Sequence, residues 1–195
     1  LRTSEHVAPL QFERDANITT PPLLLTKLHV PRAGRIIERP HVMQRMQRGL
    51  ARPLTLVTAP AGFGKTTALG AWAATVDRPV AWVSLGAGDD DPAQFWAYVL
   101  AALNGAQPGM VDGALGLLCT PQAISGAALT RALLNAIAAQ ADEVILILDD
   151  FHLITDPAIH AAMGQLLEHP PAQLHLFLAT RGAPTLPLAR LRAYD

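Results

Sequence analysis

The stretch Ala59-Pro60-Ala61-Gly62-Phe63-Gly64-Lys65-Thr66-Thr67 constrains this chain more than any other part of it. A short apolar, β-branched run, Leu54-Thr55-Leu56-Val57-Thr58, comes directly before it. A run with helical spacing, Lys65 to Thr75, comes directly after, with Leu69, Trp72 and Ala73 on one face. Strand, glycine turn and helix in that order form a phosphate-binding loop. Gly62 and Gly64 let the backbone curl so that successive N–H groups point inward at a phosphate. The helix starting near Gly64 adds the positive end of its dipole. Lys65, on a loop expected to face solvent, is the residue to bridge β- and γ-phosphate oxygens, and Thr66 the one to offer a hydroxyl to Mg²⁺. The expected nucleotide contacts are Ala61, Gly62, Phe63, Gly64, Lys65, Thr66 and Thr67. The pattern departs from GxxxxGK[ST] at one place, where Ala59 stands for the first glycine. That position lies at the strand exit, farther from the phosphates, so a small residue is tolerable there.

The rest of the chain repeats the strand–helix alternation. Val80 to Leu85 reads as a second strand. Asp91 caps a helix with Pro92 at its first position, running to about Leu103. Ser125 to Ala141 is helical, capped by Ser125, with Leu129, Leu133 and Ile137 in steps of four. Pro157 to Glu168 is another helix, and Leu174 to Ala179 a fourth strand. The third strand, Glu143 to Asp150, holds the apolar run Val144-Ile145-Leu146-Ile147-Leu148, as a strand covered on both faces should. Such alternation predicts an α/β fold, a parallel sheet with helices on both faces. Residues 104–122 give no clear period. His41 to Leu50 is helical behind Pro40, Leu23 to Arg39 reads as extended, and residues 1–22 as a poorly ordered leader.

Two carboxylates end the third strand. One at that position can hold Mg²⁺ beside the loop threonine, and its neighbour can polarise an attacking water. Asp149 is therefore expected on the metal side with Thr66, and Asp150 as the base. Arg181, after the fourth strand, would reach a γ-phosphate only if that strand lies between the other two; otherwise it is a solvated surface residue. His152 reads as structural, with a γ-phosphate role as the alternative. Trp72, Trp82 and Trp96 read as core. Asp89-Asp90-Asp91 reads as a solvated helix start, and Cys119 as a buried, inert thiol.

Composition narrows the function classes. With 15 Lys+Arg against 16 Asp+Glu the net charge is −1, which gives no electrostatic case for whole-chain binding to nucleic acid or anionic membrane. No apolar run reaches the roughly 18 residues of a membrane-spanning helix. A lone cysteine makes no internal disulfide and suits a reducing cytosol. The chain starts on Leu1 and stops inside an amphipathic stretch, so it is expected to be a piece of something longer, truncated at its C-terminal end.

Together these motifs resemble the STAND-class P-loop ATPases, and among them the MalT-like, LuxR-type transcription regulators. The likeness rests on Thr26-Lys27-Leu28 with Pro31 and Arg39, on the loop 59–67, and on Ala81-Trp82-Val83-Ser84-Leu85. Asp91-Pro92 with Phe95-Trp96, Leu148-Asp149-Asp150-Phe151-His152, and Leu178-Ala179-Thr180-Arg181 complete it. It spans residues 23–195, one nucleotide-binding domain. The resemblance implies a three-layer P-loop sandwich with strand order 2-3-4-1-5, the fifth strand falling beyond Asp195. It implies binding of ATP and ADP with Mg²⁺, and places Ile37 and Arg39 beside the adenine, where a plain linker is the alternative. It also implies a cytoplasmic bacterial activator that self-associates with ATP and an inducer, and meets DNA only through a C-terminal helix-turn-helix outside this chain.

Three functions stay open on the residues alone: a slowly hydrolysing ATP switch in a regulator, a stand-alone ATPase or kinase-like phosphotransferase, and a module that binds nucleotide without hydrolysing it. The absence of an Arg-rich lid speaks against a kinase, and the acid pair weakly against the third.

Overall fold

The computed structural model describes residues 22–31, 39–118, 126–184 and 186. Residues 1–21 of the expected leader, Ile37, Ser125 and Cys119 lie outside them.

The first helix, α1 (Pro40–Gly49), starts on a proline whose fixed φ suits the first helical turn. Strand β1 (Leu54–Thr58) and helix α2 (Lys65–Ala73) flank the glycine loop. Strand β2 (Val80–Ser84) leads to α3 (Pro92–Ala106), where the Asp91 carboxylate accepts the Gln94 N–H at 2.9 Å as the cap. Next come α4 (Asp112–Leu118), α5 (Gly126–Ala138), β3 (Val144–Asp149), α6 (Pro157–Glu168) and β4 (Leu174–Thr180). The aperiodic region thus holds a short helix, α4. Its Ala114 packs inward while Asp112, Gly113 and Leu115 leave no repeating polar face to read. Leu23 to Arg39 was expected to be extended; among its described residues, Leu25–Leu28 instead form a single 3-10 turn.

All four strands pair in parallel, in the order β1-β4-β3-β2. Written from the other edge this is 2-3-4-1, the first four places of the expected order. β4 therefore does lie between the loop strand and the acidic strand.

Alternate residues of each strand serve two apolar layers. Leu146, Leu148, Leu176 and Leu178 join Phe95, Leu100, Leu133 and Leu166 on the face covered by α3 to α6. Ile145, Ile147 and Phe177 join Met46, Leu69 and Trp72 on the face covered by α1 and α2. β3 is buried at all six positions, which explains its unbroken apolar run. The three tryptophans are core residues, each no more than 2% exposed. Trp72 meets Phe177 with ring centroids 4.5 Å apart. An aromatic truncation there would cost about 3–5 kcal/mol. Parallel strands all emerge at one end of the sheet, so the β1, β3 and β4 exits stand side by side.

Candidate nucleotide-binding site

The loop after β1 turns on two left-handed glycines, Gly62 (φ 78°) and Gly64 (φ 77°). A side chain at either would meet open space, so the conformation, not crowding, calls for glycine. The first bond within α2 runs from the Ala68 N–H to the Gly64 carbonyl at 2.9 Å. The N–H groups of Gly64 to Thr67 thus lie ahead of the helical ladder, as at any helix start. Phe63, at the tip, is 61% exposed. Arg39, just ahead of α1, approaches the loop with Nη1 3.4 Å from the Phe63 carbonyl.

Lys65 corrects one expectation. It is buried, at 9% exposure, rather than facing solvent. Its ammonium folds back and donates to the Ala59 carbonyl at 2.9 Å and the Pro60 carbonyl at 3.3 Å. Ala59, in the place of the usual glycine, keeps its N–H on the Thr180 carbonyl at 3.3 Å, continuing the ladder past the strand.

Thr66, on the first turn of α2, donates its hydroxyl to Asp149 Oδ2 at 2.6 Å, across 83 residues of chain. Asp149 is 3% exposed, and its Oδ1 accepts the Asp150 N–H at 3.0 Å. Burial pushes the Asp149 carboxyl above its ordinary pKa; the Thr66 bond opposes this and the Asp150 charge adds to it. Asp150 turns away from the strand with φ 57° and ψ 35°, and its side chain is 40% exposed. The two adjacent acids thus occupy unlike settings, one sunk beside Thr66 and one open. Arg181 is exposed just past β4. The Thr180 hydroxyl donates to the Gly182 carbonyl at 2.9 Å and shapes that turn.

A buried carboxylate and a hydroxyl in contact suit a small, hard cation that keeps most of its water. Among the described residues no three His, Cys, Asp or Glu side chains gather into a metal cage. The donor set therefore fits Mg²⁺ that arrives with phosphate oxygens. The structure brings together Lys65, Thr66, Asp149, Asp150 and Arg181 at one end of the sheet, and Arg39 near the loop.

One expectation about the acids next to β2 is overturned. Asp89 is 2% exposed, not solvated: Lys27 Nζ lies 2.7 Å from its Oδ1, and the Gly86 N–H donates to its Oδ2 at 2.7 Å. Asp90 accepts from the Thr155 N–H at 2.7 Å, the Thr155 hydroxyl and the Asp156 N–H at 2.8 Å. These bonds tie the loop after β2 to the start of α6, next to the acid pair. Sequence reading missed both because their partners lie 62 to 66 residues away. Asp91 alone behaves as expected.

Residues 48–181 match the family described as AAA domain. The chain is 35% identical over 174 residues to the HTH-type transcriptional regulator MalT of Cronobacter sakazakii, covering 89% of this chain and 19% of that protein. It is 37% identical over 168 residues to the regulator of the same name from Vibrio cholerae, covering 84% of this chain and 18% of that protein. The chain thus spans about a fifth of the length of these relatives.

Proposed function

The chain belongs to the AAA domain family, as a P-loop ATPase domain of the MalT-like kind, and from that premise we propose that it is an ATP-driven switch of the STAND class, within a LuxR-type cytoplasmic transcription activator. The observation that carries the proposal is the 2.6 Å bond from Thr66 to Asp149, beside a buried Lys65. That convergence from two distant motifs is what binding of Mg·ATP needs.

In this reading Lys65 leaves the Ala59 and Pro60 carbonyls for the β- and γ-phosphates. Mg²⁺ supplies charge neutralisation at those oxygens. Thr66 and Asp149 would hold the hydrated ion in place of their mutual hydrogen bond. Asp150, open to solvent, takes the proton of the attacking water. Arg181 faces the γ-phosphate, so it favours ATP over ADP. Ile37 and Arg39 border the adenine. Hydrolysis is slow and serves to reset the switch. An inducer, self-association and DNA contact through a helix-turn-helix belong to the regulator as a whole.

Lys65→Ala tests the reading. It should weaken Mg·ATP binding by about 10- to 100-fold, the value of hydrogen bonds to a charged group. The nucleotide-free melting temperature should also fall, since the buried Lys65 stem and its bonds to the Ala59 and Pro60 carbonyls are lost, but the chain should still unfold in one cooperative transition. Isothermal titration and a thermal melt measure the two effects, and unchanged affinity would overturn the proposal.

A further inference from the structure

His152 sits in the middle of the short Phe151–Leu153 turn that follows β3. Its side chain is 17% exposed, yet both ring nitrogens are covered and neither has a hydrogen-bond partner among the described residues. Buried polar groups are nearly always paired, and an imidazole carries a donor or an acceptor at each nitrogen. An orphaned ring beside the proposed reaction site therefore asks for a partner that moves into range when the site fills.

One group is placed to be that partner. His152 Nδ1 lies 3.7 Å from Asp150 Oδ1, beyond hydrogen-bond range but within a small rotation of it. The carboxylate is 40% exposed and free to make that rotation. The left-handed φ of Asp150, uncommon for a residue other than glycine, is what turns the chain so sharply that Asp150 and His152 meet. The ring itself stays neutral near pH 7. Burial first, then the charge of Arg181, holds its pKa below the usual histidine range, with Asp150 pulling the other way. A neutral ring has one N–H to give.

We infer that His152 is a positioning residue for Asp150: when Mg·ATP fills the loop, the His152 Nδ1–H closes on the Asp150 carboxylate and fixes its direction towards the attacking water. The inference rests on the proposed role of Asp150 as base. It accounts for the covered Nδ1, the near-miss distance and the left-handed turn together. A ring that only filled space would need no polar atoms there.

Single-turnover hydrolysis of Mg·ATP and titration with a non-hydrolysable analogue, both on the full chain, provide the test. His152→Ala should slow hydrolysis by about 10²-fold, the scale of a misplaced reacting group, with affinity unchanged. His152→Asn can place an amide N–H near the Nδ1 position and should recover most of the rate. His152→Gln puts its amide near Nε2 and should not. Asp150→Asn combined with His152→Ala should be no slower than Asp150→Asn alone, because the two act as a unit. Slow Asp150→Asn with His152→Ala at the unsubstituted rate overturns the inference and leaves the base assignment standing. Asp150→Asn at the unsubstituted rate overturns the base assignment, and the inference with it. A readout independent of turnover is the ¹⁵N shift of His152 Nδ1 on adding Mg²⁺ and the analogue. It should move to a hydrogen-bonded N–H value, and not do so in Asp150→Ala, which has no acceptor; an unmoved shift in the unsubstituted chain overturns the inference whatever the rates.

Discussion

Asp149 shows at the residue scale what a sunken carboxylate costs the fold. Its carboxylate is buried, and the bonds from Thr66 and from the Asp150 N–H only partly offset the loss of water. Its folded pKa is raised, so the folded chain holds the Asp149 proton more tightly than the unfolded chain does. This contribution to stability is greatest below the ordinary carboxylate pKa of about 4. It falls as pH rises through the folded value, and stays low above it. Asp149→Asn should therefore raise the melting temperature of the metal-free chain at pH 7, by about 2–4 °C for each kcal/mol relieved. The substituted chain should also lose most of its further stabilisation by Mg·ATP. Thermal melts between pH 4 and 8, with and without Mg·ATP, would check both. A lower melting temperature at pH 7 would mean that the carboxylate's two bonds outweigh its burial.

At the scale of elements, the segment 22–31 is anchored by an ion pair between a partly buried Lys27 and a buried Asp89. Lys27 reaches Asp89 in the turn after β2, with its ammonium 5.1 Å from the centre of the Tyr98 ring. The Tyr98 hydroxyl accepts the Leu24 N–H at 3.1 Å. On the other side the segment runs so close to α2 that a side chain at Gly70 would come 2.8 Å from the Pro31 carbonyl. Lys27→Met would leave the Asp89 charge buried and unpaired. We expect a loss of about 3 kcal/mol, the low end for breaking a buried pair, because Lys27 itself stays 23% exposed. Adding Asp89→Asn should restore part of it, since the amide oxygen can still accept the Gly86 N–H. Urea unfolding would measure both. A loss below about 1 kcal/mol would put this pair in the class of weak surface bridges.

The whole molecule is organised around a sheet in which β1, the strand that presents the loop, has one partner among the described residues. The Leu176 N–H bonds the Pro53 carbonyl and the Ala59 N–H bonds the Thr180 carbonyl. In a parallel ladder every second residue faces the same neighbour. Leu54, Leu56 and Thr58 therefore turn their backbone groups to the side where no described strand pairs. An apolar edge without charge or internal proline invites pairing with another chain. We predict that the chain self-associates at micromolar concentration and that Mg·ATP, binding only the folded form, shifts it towards monomer. Thr58→Pro removes an outward N–H while leaving the bonds to β4, and should reduce association. Size-exclusion chromatography with light scattering decides; a clean monomer without nucleotide would mean that the edge is already covered.

Much of this architecture was legible in local chemistry. The turn at Gly62 and Gly64, the strand before it, the unbroken apolar run of β3 and the proline-led helices each follow from backbone preference or hydrophobic period, which neighbouring residues alone impose. The acids Asp149 and Asp150 could be picked out as a pair for the same reason. Motif order already set Asp149 on the side of Thr66; that it sinks into direct contact with that hydroxyl while Asp150 stays open follows from the left-handed turn at Asp150 and the path of α2, 83 residues away. The strand order was likewise implied by resemblance, not by periodicity, since a strand's pattern records which faces are covered and not which strand lies beside it. The sinking of Asp89 and the bonds of Asp90 were hidden behind a run of three like charges that reads as solvated. That the His152 ring has no hydrogen-bond partner among the described residues had no local signature at all. Sequence spacing specifies local conformation, and only the folded path decides which distant groups a side chain will meet, or fail to meet.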